Sequence, residues 1–93
     1  MLSEYNIQKA GTIDQIVFDY FKLHPKVKEI QAKDLMEDFI KGGVFSKDYK
    51  DGLPLRDFLK KLEDNDSLDL FKQTKLIRKV ENKYWFFVKR TKK

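Results

Sequence analysis

The stretch that decides the fold is the C-terminal run Leu76-Ile77-Arg78-Lys79-Val80-Glu81-Asn82-Lys83-Tyr84-Trp85-Phe86-Phe87-Val88-Lys89-Arg90. Residues 76–80 and 84–88 are rich in β-branched and aromatic residues, and each alternates with period two. Between them lies Glu81-Asn82-Lys83, where Asn tolerates the positive φ of a tight hairpin. The run reads as two antiparallel strands with a turn at about 79–84. Upstream, Leu68, Leu70 and Phe71 read as a short strand or a loop that plugs the core.

Working back from the hairpin, the preceding segments read as helices. Leu53-Pro54 opens a helix over about 54–64, with Pro54 in the first turn and Leu55, Phe58, Leu59 and Leu62 as its buried stripe. Its exposed positions hold Arg56, Lys60 and Lys61 against Asp57, Glu63 and Asp64, so that face is neutral. Asn65-Asp66-Ser67 ends it. A second helix is expected over about 32–42, with Ala32, Leu35, Met36, Phe39 and Ile40 inward and Gly42-Gly43 as its left-handed stop. Residues 46–52 form a polar connection, expected to hold one helical turn capped by Ser46 with Tyr49 inward. Lys26 to Ile30 alternates like a short strand. The first helix is expected over 12–24, capped by a Thr12/Gln15 box and stopped by Pro25. Its apolar face is Ile13, Ile16, Val17, Tyr20, Phe21 and His24, widened by Phe18 and Leu23. Residues 1–11 read as an N-terminal arm, 12–90 as a single domain and 91–93 as a basic tail.

This order resembles the winged helix-turn-helix superfamily. The resemblance covers about residues 12–90 and rests on element order, on Ile30-Gln31-Ala32-Lys33-Asp34-Leu35 entering the second helix, and on the terminal hairpin. It implies an α+β fold: a compact three-helix domain with a C-terminal β-hairpin wing. It further implies that the 54–64 helix enters a major groove while the wing touches backbone or minor groove.

The chain has 93 residues, 38% of them charged and 14% aromatic, which suits one small domain with a real core. The net charge is +5. Residues 1–71 carry a net −3, whereas residues 72–93 carry nine Lys and Arg against Glu81 alone, a net +8. Such a cationic segment is the footprint of phosphate contact. The candidate DNA-binding residues are therefore Arg56, Lys60, Lys61, Lys75, Arg78, Lys79, Lys83, Lys89 and Arg90. Tyr84 and Trp85 are candidates for base stacking, though alternation puts them on opposite faces so that only one points outward.

Other chemistry is poorly supplied. There is no cysteine and one histidine, His24, which excludes thiolate zinc sites, disulfides and multi-histidine metal centres. His24 reads as a helix-end residue. The acids Asp34, Glu37 and Asp38, and Glu63, Asp64, Asp66 and Asp69, read as solvated surface. No phosphate loop, dinucleotide fingerprint or catalytic triad is present, so no enzyme activity and no cofactor are expected. No membrane span or signal peptide is visible, and the expected setting is cytoplasmic. The expected function is that of a small DNA-binding protein or accessory regulator contacting duplex DNA mainly through a basic wing. The neutral 54–64 helix, the twelve-residue connection before it and the acidic clusters support an alternative, a protein–protein interaction module meeting a partner or a second copy. RNA binding through the basic hairpin is a third reading.

Overall fold

The computed structural model describes residues 3–48, 50, 52–79 and 84–90. The chain runs α1 (Glu4–Leu23), β1 (Glu29–Gln31), a 3₁₀ turn (Ala32–Leu35), α2 (Met36–Lys41), α3 (Leu53–Asp64), a second 3₁₀ turn (Leu68–Leu70), β2 (Thr74–Arg78) and β3 (Trp85–Lys89). The strands form one antiparallel sheet in the order β1–β3–β2. The expected α+β class, three helices with a C-terminal hairpin, is what the chain adopts.

Phe87 sits in the middle of the central strand, opposite Ile30 on β1 and Leu76 on β2. This register puts Leu76, Trp85 and Phe87 on the inner face of the sheet, where all three are buried. Phe39 of α2 and Phe71 meet Phe87 edge-on, with ring centroids 6.2 and 5.7 Å away. Ile13, Val17 and Phe21 of α1 and Leu55, Leu59 and Leu62 of α3 complete a single core. On the outer face, Ile77, Phe86 and Val88 are half-buried.

Several boundaries differ from the sequence reading. The first helix begins at Glu4, so residues 4–11 are helix rather than arm. Ser3 is the cap, its Oγ accepting the Asn6 N–H at 3.1 Å. Thr12 lies inside the helix and donates its hydroxyl to the Gln8 carbonyl at 3.1 Å, and Gln15 donates to Asp19 rather than back to a cap. The apolar stripe of Ile13 and Val17 extends back to Ala10, which is fully buried and holds the extra turns in place. His24 ends α1 as expected: its N–H bonds the Tyr20 carbonyl and its ring lies 4.4 Å from that of Tyr20. The second helix is a 3₁₀ turn followed by a short α-helix. Residues 46–48 form no helical turn, and Tyr49 lies outside the described residues. Leu68–Leu70 is a 3₁₀ turn, and Phe71 behind it is fully buried, as a plug should be. No helix among the described residues is long and apolar enough to cross a membrane.

Candidate nucleic-acid interface

The candidate cations fall into three places. The first is a cleft of about 220 Å³ between the start of α3 and the start of β3, walled by Lys33, Leu55, Arg56, Tyr84 and Trp85. Backbone geometry builds it. Gly52 precedes α3 with φ of 89°, a left-handed value that L side chains rarely hold. A Cβ at Gly52 would stand 3.1 Å from the Lys33 Cβ, so glycine lets the start of α3 press against the turn that carries Lys33. Asp48 accepts the Gly52 N–H at 2.9 Å and holds the approach. Arg56 donates from Nη2 to the Lys50 carbonyl at 2.8 Å, which steers its guanidinium across the end of the helix. Tyr84 is 47% exposed, and the Lys33 ammonium lies 5.7 Å from its ring. Trp85 is only 5% exposed and belongs to the core. Alternation along β3 thus leaves Tyr84 outward and removes Trp85 from stacking.

The second place is the rest of α3 and the tip side of the hairpin, where carboxylates answer the cations. Lys60 lies 3.6 Å from Asp64. Arg78 pairs with Glu63 at 2.9 Å, and its guanidinium lies 5.1 Å from the Trp85 ring. Lys79 pairs with Glu29 at 2.8 Å, reaching across the outer sheet face with its ammonium 4.6 Å from the Phe86 ring. Lys83 lies outside the described residues. Lys61, also on α3, is exposed, and the nearby Lys9 ammonium sits 4.4 Å from the Phe45 ring and 5.2 Å from Phe58. Burial, and secondarily the positive charge of Lys61, pulls the Lys9 pKa below the usual lysine value.

The third place is the far end of the hairpin. There Lys75 is exposed, Lys89 donates to the Pro25 carbonyl at 3.2 Å, and Arg90 donates to the carbonyls of Thr74 and Phe71, both at 2.9 Å. Cations that are contiguous in sequence are therefore divided between opposite ends of a five-residue strand.

Lys33 was not singled out by the sequence reading. Its convergence with Arg56 depends on a contact across nineteen residues, which no local pattern encodes. Among the described residues no group of acids and histidine could hold a metal ion. Comparison with known proteins found no match to a family model, a curated protein or a solved structure.

Proposed function

We propose that this chain is a winged-helix-type module that binds duplex DNA, mainly through its backbone. The fold reading draws on the element order and on the strand order β1–β3–β2, in which β2 pairs with β3 at the edge of the sheet, as a wing would. The observation that carries the functional reading is the cleft holding Lys33, Arg56 and Tyr84 between the start of α3 and the hairpin. Helix-turn-helix proteins touch base edges with the N-terminal residues of the recognition helix. Over its whole length α3 is electrically neutral, but its charges are not evenly spread. Its first turn holds no acid, while Glu63 and Asp64 stand at its last. Within the helix the N-terminal end is thus the less acidic one, the nearby Asp48 carboxylate being engaged on the Gly52 N–H, and an exposed Tyr beside it offers a ring to an unstacked base or a sugar.

Fluorescence anisotropy with a labelled duplex at low salt tests this. Lys33→Glu with Arg56→Glu is expected to weaken binding roughly tenfold or more, by removing and reversing two phosphate contacts. Lys79→Glu alone is expected to change affinity less than about threefold, because Glu29 already answers that charge. Wild-type affinity in the double variant overturns the reading. A second reading, docking on another protein, is favoured by the Arg78–Glu63 and Lys79–Glu29 pairs, which offset both of those hairpin cations.

A further inference from the structure

Lys89 and Arg90 close β3 at the end away from the cleft, about 13 Å along the strand. With Lys22, in the last turn of α1, they rim a pocket of about 130 Å³ whose walls include Phe18, Phe21 and Pro25. The rim is held in place. Arg90 spends two of its five N–H donors on the Thr74 and Phe71 carbonyls and keeps the others for a ligand. Lys89 spends one proton on the Pro25 carbonyl. Lys22 stands 5.6 Å from the Phe18 ring. None of these three cations has a carboxylate partner among the described residues, in contrast to Arg78 and Lys79. Gln73 also lines the pocket, and its N–H leads to Asp14, but that buried carboxylate already accepts three hydrogen bonds from Gln73 and Thr74. Three positive charges therefore face outward over a mostly carbon wall.

An occupant must bring both negative charge and an apolar group. A phosphodiester supplies the charge and nothing for the carbon wall. The volume matches about one large apolar side chain and falls well short of the several hundred Å³ of a typical small-molecule site. We propose that this pocket receives one apolar side chain from an acidic segment of a partner protein, whose flanking carboxylates meet Lys22, Lys89 and Arg90. The site is independent of the DNA reading and lies at the other end of β3.

The test is an NMR titration of the intact chain with the capped tripeptide acetyl-Asp-Phe-Asp-amide. Expected are saturable shifts at Phe18, Lys22, Gln73, Lys89 and Arg90. Affinity should fall roughly tenfold or more when the peptide's Phe is replaced by Ala, and similarly when its two Asp are replaced by Asn. Lys22→Glu with Lys89→Glu, both on the rim, should abolish the shifts while leaving the rest of the spectrum folded. Equal binding of the Ala peptide, absence of shifts, or shifts at these residues from a short duplex DNA in place of the peptide would overturn the proposal.

Discussion

Asp14 is the residue on which the join between α1 and the sheet depends. It is 4% exposed, and its carboxylate accepts the N–H groups of Gln73 and Thr74, both at 2.9 Å, and the Thr74 hydroxyl at 2.7 Å. These donors stand where the chain turns into β2, so one side chain both satisfies the strand's first amides and pins it to α1. Asp14→Ala strands those donors in the interior and is expected to cost about 3 kcal/mol. Asp14→Asn keeps one acceptor oxygen and is expected to cost about 1–2 kcal/mol. Urea denaturation measures both, and equal losses in the two variants would show that the carboxylate's acceptors are not what holds the strand. In sequence Asp14 is one acid beside an apolar stripe. Nothing local distinguishes it from Asp19, whose exposed carboxylate merely takes a bond from Gln15.

At the scale of elements, two helices end alike with different residues. After α2 the Val44 N–H bonds the Phe39 carbonyl and the Gly43 N–H bonds that of Ile40, with Gly43 at φ 79°. After α3 the Ser67 N–H bonds the Leu62 carbonyl and the Asp66 N–H bonds that of Glu63, with Asp66 at φ 55°. Both are the left-handed stop that satisfies the last helical carbonyls. The first was legible because a Gly-Gly pair announces it. The second was legible only as a turn, since Asp in the left-handed region costs energy that glycine avoids. Asp66→Gly is therefore expected to stabilise the protein by about 0.5 kcal/mol, the relief of strain exceeding the added freedom of the unfolded chain. Thermal unfolding reads it as a rise in Tm, and an unchanged or lower Tm would mean that Asp66 is not strained there. The stripe of α3 was read correctly to the residue: Leu55, Phe58, Leu59 and Leu62 are all buried.

Over the whole molecule, the described cations of residues 72–93 do not form one patch. Arg78 and Lys79 spend their charge on Glu63 and Glu29, which come from α3 and β1. Lys89 and Arg90 stand at the other end of the hairpin beside Lys22. The cleft at the start of α3 is left as the contact with a nucleic-acid backbone and spans only a short stretch of one, so the salt dependence of duplex binding should be modest. A plot of log K against log salt is expected to have a slope of about −3 to −4, as for roughly four phosphates, and not the −7 or steeper of a continuous cationic face. The same plot for the Lys33→Glu, Arg56→Glu variant should be shallower by about two. A steep slope that survives this variant would move the contact away from the cleft.

The period of the apolar residues, the prolines and glycines at element ends and the alternation of the last two strands were enough to read three helices and a terminal hairpin. Each of these signals acts within a few residues, through side-chain direction and backbone dihedral preference. The start of α1 escaped because its cap, Ser3, lies nearly three turns before Ile13, where the continuous apolar stripe begins. Charge balance was different in kind. Whether a lysine faces a phosphate or a glutamate depends on which acid folding carries to within a few ångströms of it. Glu29 meets Lys79 from fifty residues away, while Lys33 meets the start of α3 through a missing Cβ at Gly52. Those meetings exist only once the sheet closes, because Coulomb and hydrogen-bond partners are chosen by distance in space.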